Sequence, residues 1–400
     1  VRLGEREITK APVGLNVIDP DYVNIMITGH QHSIFVHLQE KLRSEEVQNR
    51  AVEAGAKGIR LVGCTCVGQD LQLRGVHYED IFSGHAGNNY TSEAVLATGA
   101  IDAVLSEFNC TLPGIETICS ELEIEQICID DMAKKKEAAL IPFRYETADE
   151  DARMISKKLA ERYQRRRKRI KVHLPEHHGS ERSLVGLSEL SLKKFLGETW
   201  KPLIELIIIG RIKGIAGVVG CSSLDGGHDV LTQQLVRELI KRDILVLSAG
   251  CTSGGLANCG FMEPEAADMA GDSLKEVCRS LGIPPVLNFG SCLAIGRLEM
   301  VAEELAGELK IDISQLPLVL SAAQWLEEQA LADGAFGLAL GLPLHLGLPP
   351  FITGSSLVTK ILTEDMKALT GGQIIVNSHA GESADILEQI IMDKRQALNI

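Results

Sequence analysis

The chain has 400 residues and a formal net charge of −14, so it is long enough for two domains that each bury a full core. The acidic balance argues against a nucleic-acid surface, because phosphate binding needs Lys and Arg gathered on one face. No apolar run reaches the roughly 20 residues of a membrane helix, and the N-terminus VRLGEREITK is too polar for a secretory signal. Ten cysteines in a chain of this length favour free thiols in a reducing cytoplasm, where thiols at recurring loop positions indicate metal binding or catalysis.

The first half of the chain alternates short apolar strands with helical segments. After an extended lead-in over residues 1–20, we predict strands at VNIMIT (residues 23–28) and GIRLVG (58–63), with a helix over 33–56 between them. A glycine-rich loop near HAGNNY then precedes a helix from Ser92, and the segments IDAVLSEFN and IEQICID follow as strands. This alternation predicts a parallel, doubly wound sheet.

A polar helix over residues 148–169 ends in the basic run RYQRRRKR. In an acidic protein, such a run indicates a solvated helix face or a contact with a partner rather than a nucleic-acid patch. The segment HLPEHHGSERS (173–183) has the composition of a connection between domains. We therefore predict a first domain over residues 1–205, whose helical basic segment from about 148 forms the connection, and a second domain over 206–400.

The second half repeats the same scheme, with amphipathic helices between apolar strands. The predicted strands are IAGVVG (215–220), ILVLSAG (244–250), PPVLNFGS (284–291), LPLVLSAA (316–323), GLALGLPLHL (337–346) and QIIVN (373–377). No sequence period is visible, so the repeat is architectural. The predicted fold class is α/β, with two Rossmann-like domains that are each a mostly parallel sheet flanked by helices.

Side chains that bind metals recur at the predicted strand ends of both halves. They are His30, Cys66 and Cys110 in the first half, and Cys221, Cys251 and Cys292 in the second. Neighbouring members within each half lie 36, 44, 30 and 41 residues apart, which is too wide for a zinc ribbon and corresponds to about one strand–helix unit. Ligands bind at the carboxyl edge of open α/β sheets, so two domains that face each other through these edges would bring five thiolates and one imidazole together at their interface.

A single metal ion in a tetrahedral site takes at most four thiolates, whereas a polynuclear iron–sulfur cluster can use five cysteines and one histidine. For any one position alone, a buried cysteine that acts as a small hydrophobe is the better interpretation, and we apply it to Cys119, Cys128, Cys259 and Cys278. Cys64 adjoins Cys66 and is intermediate, and His32 competes with His30 as a ligand. The six equivalent positions favour metal binding.

Taken together, these segments resemble the nickel-dependent, iron–sulfur carbon monoxide dehydrogenases of anaerobes. The matching ligand segments are TGH with His30, VGCTCVG with Cys66, TGAIDAVLSEFNC with Cys110, AGVVGCSS with Cys221, LVLSAGCTSGG with Cys251 and NFGSC with Cys292. The stretches DISQLPLVLSAA and PPFITGSSLVTKILTE are also similar to that family, and the resemblance covers nearly the whole chain in order.

The resemblance implies a Ni-Fe-S cluster of the 4Fe-4S type with nickel and an outer iron. It places His30 and Cys66 on the outer iron and Cys292 on nickel; the three cubane irons would be held by Cys110, Cys221 and Cys251. The implied reaction converts CO and water to CO2, two protons and two electrons. The implied partners are a ferredoxin-like electron carrier, or a partner subunit that bears relay clusters, and a second copy of the chain in a homodimer.

Three departures from the family pattern qualify the resemblance. The family's N-terminal helical domain with its relay-cluster cysteines has no counterpart here, so we expect an N-terminally truncated or divergent member. In the segment QWLEEQALADG, Gln329 stands where the family has a catalytic lysine; glutamine can donate a hydrogen bond but supplies neither positive charge nor a proton. Asp333 replaces an apolar residue of the site, where a carboxylate could take a proton role or bind metal.

These departures leave two alternatives open beside CO oxidation. One is a hydroxylamine-type reduction of a small molecule at an all-iron cluster, as in the related hybrid-cluster proteins. The other is a non-catalytic cluster protein that senses redox state or stores metal.

Overall fold

The computed structural model describes residues 8–73, 80–111 and 114–400. The chain divides into two compact units, Val1–Ser183 and Leu184–Ile400. Each unit is built on one sheet whose recorded strand pairs are parallel and whose faces carry helices, which confirms the predicted α/β class. Among the described helices, none has both the length and the hydropathy that crossing a membrane requires.

The first unit contains an eight-stranded sheet, whose last strand in the chain extends two residues past the boundary at Ser183. Its strands are β1 (Thr9–Val13), β2 (Val23–Ile27), β3 (Ile59–Cys64), β4 (Phe82–Gly87), β5 (Ala103–Ser106), β6 (Glu125–Cys128), β7 (Ala139–Leu140) and β8 (Ser180–Val185). Its described helices are α1 (His32–Leu42), α2 (Glu45–Glu53), α3 (Thr65–Gln72), α4 (Thr91–Ala97), α5 (Ile115–Glu121) and α6 (Ala148–Arg169). The strand order is β7-β6-β5-β2-β3-β4-β1-β8.

Both faces of this sheet are covered, which explains why strand β2 is apolar except for the hydrogen-bonded Asn24. Its residues Val23, Ile25 and Ile27 pack into one core with α1, α2 and α6. The intervening Met26 packs into a second core on the opposite face, with residues of α4 and α5. All five residues of β2 are buried, as expected for a central strand of a parallel sheet.

The second unit contains a six-stranded sheet. Its strands are β9 (Gly214–Gly220), β10 (Ile244–Gly250), β11 (Val286–Gly290), β12 (Leu318–Ala322), β13 (Leu344–Leu346) and β14 (Ile374–Val376). Its described helices are α7 (Glu189–Phe195), α8 (Lys201–Ile208), α9 (Val230–Lys241), α10 (Cys251–Asn258), α11 (Asp272–Leu281), α12 (Ile295–Leu309), α13 (Glu328–Ala339), α14 (Ser356–Lys360), α15 (Met366–Leu369) and α16 (Ala380–Leu398). The strand order is β11-β10-β9-β12-β13-β14.

Three sequence predictions about elements were wrong. The helix predicted over residues 33–56 is two helices, because the backbone turns to an extended conformation at Ser44, with ψ 140°. The segment HAGNNY, predicted as a loop, begins inside β4. The strand was not predicted because two glycines in it disfavour strand formation. The run GLALGLPLHL is the end of α13 followed by the short strand β13, since an apolar run alone does not distinguish a buried helix end from a strand.

The boundary between the compact units lies at Ser183 and Leu184, whereas the sequence placed the end of the first domain at residue 205. The segment between these points binds to helix α12. Arg297 of α12 donates to Glu189 at 2.8 Å, and Glu304 of α12 accepts from both Lys193 and Trp200. Residues 184–205 are therefore part of the second unit.

The basic helix α6 is fixed to the sheet of the first unit by a buried arginine. Arg166 Nε donates to Asp102 Oδ1 at 2.8 Å, and its Nη2 donates to the carbonyls of Pro20 and Tyr22 at 3.0 Å. Asp102 Oδ2 also accepts from the backbone N–H of Asn24 at 2.9 Å. One member of the basic run is therefore a structural contact rather than a surface charge.

Removal of the Asp102 carboxylate is expected to destabilise the first unit strongly. In Asp102→Ala the buried guanidinium of Arg166 loses its counter-ion, which typically costs about 3–5 kcal/mol. The matched control is Asp21→Ala, whose carboxylate pairs with the exposed Arg167 at 3.5 Å and should contribute less than about 1 kcal/mol. Urea denaturation followed by circular dichroism measures both; equal losses would contradict the buried-pair interpretation.

Candidate metal centre

Three adjacent strands of the first unit carry its three predicted ligands. His30 follows β2, Cys66 lies in the first turn of α3 directly after β3, and Cys110 follows β5. The order β5-β2-β3 makes these strands neighbours, and their parallel pairing puts their carboxyl ends at one edge of the sheet. His30 Nε2 and Cys110 Sγ are 3.8 Å apart.

Two threonines connect the loops that bear these residues. Thr28 Oγ1 donates to the carbonyl of Cys110 and lies 3.2 Å from Thr65 Oγ1. Thr65 Oγ1 accepts from the backbone N–H of Gly29 at 2.9 Å. Thr65 has φ 53° and Cys110 has φ 52°, a left-handed backbone region that few residues with a side chain occupy.

Glu107 is a site residue that the sequence reasoning missed. Its Oε1 accepts from the backbone N–H of His30 at 2.6 Å, and a Cβ at Gly29 would overlap this carboxylate. Burial raises the pKa of Glu107 to about 7, against the opposing effect of the hydrogen bond from His30. The only feature of the sequence that could have indicated Glu107 is its position at the end of β5, three residues before Cys110.

The imidazole of His30 is in the state that metal binding requires. Burial, with a smaller contribution from His32, lowers the pKa of His30 to about 4. The ring is therefore neutral at neutral pH, so a nitrogen lone pair is available to a metal. His32, the competing candidate, lies with its Nε2 at 3.9 Å from Asp70 Oδ2.

The second unit repeats this arrangement on three adjacent strands. Cys221 follows β9 directly, Cys251 is the first residue of α10 after β10, and Cys292 is the second residue after β11. These strands are neighbours in the order β11-β10-β9. All three strands end in a glycine with positive φ: Gly220 at 105°, Gly250 at 82° and Gly290 at 104°.

Gly250 has a second role besides its backbone conformation. A Cβ at this position would lie 2.7 Å from Cys292 Sγ and 2.5 Å from the carbonyl oxygen of Gly220. The side chain of any other residue at position 250 would therefore overlap the Cys292 sulfur. This close approach places the end of β10 next to Cys292.

Cys221 is surrounded by hydrogen-bond donors. Thr252 Oγ1 donates to its carbonyl at 2.8 Å, and the backbone N–H groups of Glu327 and Leu326 donate to its sulfur. Burial, followed by the proximity of Cys292, raises the pKa of the Cys221 thiol to about 12. The thiol is therefore protonated without a cation, and metal binding must displace the proton.

The side chains at these strand ends, thiols and one imidazole, are of the types that bind iron–sulfur clusters. Within the described part of the chain, no three His, Cys, Asp or Glu side chains are grouped as ligands of a single ion. A cluster distributes its protein ligands over several metals, so thiolates and an imidazole at successive strand ends suit it better than one ion.

The remaining cysteines differ in their surroundings. Cys119 and Cys278 are buried within helices, and Cys128 is buried with its sulfur 3.1 Å from the carbonyl of Ala133. Cys64 is fully buried in a core of the first unit, where burial raises the pKa of its thiol far above the usual range. The core interpretation was wrong for Cys259, which is exposed at the C-terminal end of α10.

Comparison with known proteins places the chain. A family model described as the Prismane/CO dehydrogenase family matches residues 1–380. The chain belongs to this family. It is 49% identical over 401 residues to a protein from Methanocaldococcus jannaschii named carbon monoxide dehydrogenase, covering 100% of this chain and 64% of that protein. A second protein of that name, from Methanopyrus kandleri, is 44% identical over 407 residues, covering 100% of this chain and 63% of the relative.

Solved structures agree with the family assignment. The Ni-free carbon monoxide dehydrogenase of Thermococcus sp. AM4 superposes with a TM-score of 0.92 at 36% identity, over 99% of this chain and 61% of that chain. Carbon monoxide dehydrogenase IV of Carboxydothermus hydrogenoformans gives a TM-score of 0.92 at 33% identity, over 100% of this chain and 64% of that one. The chain thus spans slightly less than two thirds of the length of these relatives.

The two residues that depart from the family pattern both lie on helix α13. Gln329 is its second residue, directly after the segment whose N–H groups reach Cys221. Asp333 follows one turn later and lines an apolar pocket of the second unit with an empty volume of about 690 Å³, together with Leu247, Leu298 and Leu320 among others. None of the described lining residues is a predicted ligand.

Replacement of Gly250 by Ala tests the close packing around Cys292. The added Cβ must displace the sulfur or the Gly220 carbonyl, and such overpacking typically costs about 1–3 kcal/mol, in addition to the positive-φ strain. Gly260→Ala is the matched control, because Gly260 has φ 78° with no atom within 4 Å of the added Cβ. Urea denaturation of the metal-free protein should show the larger loss for Gly250→Ala; equal losses would mean that backbone strain alone accounts for the effect.

The partly buried carboxyl of Asp333 predicts a pH-dependent stability. Its Oδ2 has no hydrogen-bond partner, and burial raises the pKa of Asp333 from 3.8 to about 6. Because the folded state binds this proton more tightly than the unfolded state, the Asp333 contribution to the free energy of unfolding should fall as pH rises from about 4 to about 6. Asp333→Asn should remove this decline, whereas the exposed control Asp393→Asn should keep it. An unchanged pH profile in Asp333→Asn would contradict the assignment.

Proposed function

We propose that the chain holds a Ni-Fe-S cluster of the 4Fe-4S type and catalyses the reversible oxidation of CO with water to CO2, two protons and two electrons. The observation that carries this proposal is the placement of all six donors within about four residues after strand ends, on three adjacent strands in each unit, in a chain of the Prismane/CO dehydrogenase family. The relatives that share the name carbon monoxide dehydrogenase support the choice of substrate.

The assignment of individual ligands follows the family resemblance. We propose His30 and Cys66 as ligands of an outer iron and Cys292 as the ligand of nickel. The proposed ligands of the three cubane irons are Cys110, Cys221 and Cys251. The neutral imidazole of His30 and the N–H groups directed at the Cys221 sulfur support these roles. When bound, such a cluster supplies Lewis-acidic sites for CO and water and accepts two electrons.

The protein's own residues orient the donors and set the charge around them. Glu107 holds the backbone of His30 in place through its hydrogen bond. Gln329 is proposed to face the substrate, where it can donate a hydrogen bond to an oxygen of CO2 but supplies no charge and no proton. Loss of a preorganised cationic donor commonly lowers the rate by about 10²–10³, so we expect slower CO chemistry than with lysine.

The electrons must leave through a protein partner. We propose a ferredoxin-like carrier, or a partner subunit with relay clusters, and a homodimer as in the resembled family. The structure describes all ten cysteines and joins none of them in a disulfide, and we propose a reducing, anaerobic cytoplasm as the working environment.

A second candidate function is the reduction of a hydroxylamine-type molecule at an all-iron cluster. The matching family model covers Prismane as well as CO dehydrogenase proteins. Gln329 in place of the lysine favours this candidate, because the positive charge of the resembled CO site is missing.

Metal analysis and electron paramagnetic resonance of protein purified without oxygen test the proposal. We expect about one nickel and several irons per chain, together with CO-dependent reduction of a dye. Cys292→Ala should lose nickel and this activity, whereas the control Cys278→Ala, at a buried position within α11, should retain both.

The other outcomes separate the candidates. Iron without nickel, with hydroxylamine-dependent dye oxidation, would replace CO oxidation by the second candidate. A cluster whose spectrum responds to neither CO nor hydroxylamine would indicate a non-catalytic redox or metal-sensing protein. Absence of both metals from anaerobic preparations would overturn the cluster itself.

A further inference from the structure

The side chain of Gln324 forms hydrogen bonds with the loop that carries Cys221 and with the helix that follows this loop. This loop connects β9 to α9, and Gln324 lies just after the neighbouring strand β12. Its Nε2 donates to the carbonyls of Ser223 at 3.1 Å and Gly227 at 2.8 Å. Its Oε1 accepts from both the backbone N–H and the hydroxyl of Thr232 at 3.2 Å. The side chain is buried, with 1% of its surface exposed.

The same segment contacts Cys221 directly a few residues later. The backbone N–H groups of Leu326 and Glu327 donate to the Cys221 sulfur. Between these contacts, Trp325 anchors the segment: its Nε1 donates to the carbonyl of Leu348 at 2.9 Å, and its ring packs edge-on against Phe351. Residues 324–327 therefore hold both the backbone of the Cys221 loop and its sulfur.

We propose that Gln324 is a positioning residue that holds the Cys221 loop against residues 324–327 and thereby tunes the cluster bound through Cys221. This inference rests on the proposed function. Hydrogen bonds to a ligating sulfur stabilise the reduced state of a cluster and raise its reduction potential. If the loop moves away from residues 324–327, the N–H donors of Leu326 and Glu327 lose their alignment with the sulfur.

A glutamine suits this role because one amide supplies two donors and an acceptor. The buried backbone carbonyl of Ser223 accepts from its NH2 group, and a buried carbonyl without a donor is unfavourable. The part-buried carbonyl of Gly227 accepts from the same group and from the backbone N–H of Val230. An apolar side chain of the same length fills the space but satisfies neither carbonyl. The amide chemistry rather than the volume of Gln324 therefore sets the position of the loop.

The test compares Gln324→Met with the unaltered chain, both loaded with iron, sulfide and nickel under anaerobic conditions. Methionine keeps the length and burial of the side chain but removes all four hydrogen bonds. We expect the affinity for cluster iron, measured by release to a ferrous chelator, to fall about 10–100-fold. A redox titration followed by electron paramagnetic resonance should show a lower midpoint potential and an altered cluster signal.

Thr232→Val is the matched control. It removes the hydroxyl donor to Oε1 but keeps the backbone N–H donor and both contacts to the loop carbonyls. Its unfolding midpoint is expected to fall, while iron release and midpoint potential stay unchanged. If Gln324→Met does not fold, Gln324→Glu retains the acceptor and the shape and removes both donors to the loop, with the same expected changes.

The outcomes separate this inference from the proposed function. A loaded Gln324 variant that is less stable but has unaltered iron release, potential and signal would overturn the positioning role and leave the proposed function intact. Failure of the unaltered chain to bind a cluster would overturn both.

Discussion

The parallel pairing of strands is the constraint on which the site depends. A parallel strand must be followed by a crossover before the next one, so all carboxyl ends lie at one edge of the sheet. The six predicted ligands follow β2, β3 and β5 in one unit and β9, β10 and β11 in the other, and each trio consists of adjacent strands. Residues tens of positions apart in the chain thus follow strands spaced about 4.8 Å apart.

The donors alone do not define the site, because their loops must be held against the flexibility of strand-to-helix turns. In the first unit, Thr28 and Thr65 bind the loops to one another and Glu107 holds the backbone of His30. In the second unit, Thr252 donates to the carbonyl of Cys221, and Gln324 donates to two carbonyls of the loop that follows it. Most of these contacts join a side chain to a backbone group, so they fix loop geometry and leave the metal-binding atoms available.

The sequence predicted those parts of the fold that follow from local patterns. The central apolar strands and the bounds of α6 agree with the structure, since long periodic or apolar segments carry a strong signal. Strand β4 and the last residues of α13 were missed, because glycines in a strand and an apolar helix end give the opposite signal. The break at Ser44 depends on a change of backbone conformation, which the hydrophobic pattern does not encode.

The residues of the candidate site likewise fall into those that local sequence patterns predict and those that they do not. Cysteine and histidine at repeated strand ends are visible in the sequence, because residue type and spacing both carry the chemistry. Glu107 and Gln324 are not visible, because their importance comes from contacts with the backbone of His30, Ser223 and Gly227. Such contacts form only when segments distant in the sequence come together in the fold, so no local sequence pattern predicts them.

Helix α13 carries the two residues that we propose to influence the chemistry of a cluster held by these donors. Gln329 and Asp333 are four residues apart and therefore share one helix face. If the proposed correspondence to the lysine and apolar residue of the resembled family holds, this pair replaces a positive charge by a neutral donor and adds a partly buried acid whose pKa is raised to about 6. The donors determine which metals bind, whereas the charge that meets the substrate selects the reaction. The same six ligands are therefore compatible with different chemistry when the first two turns of α13 change.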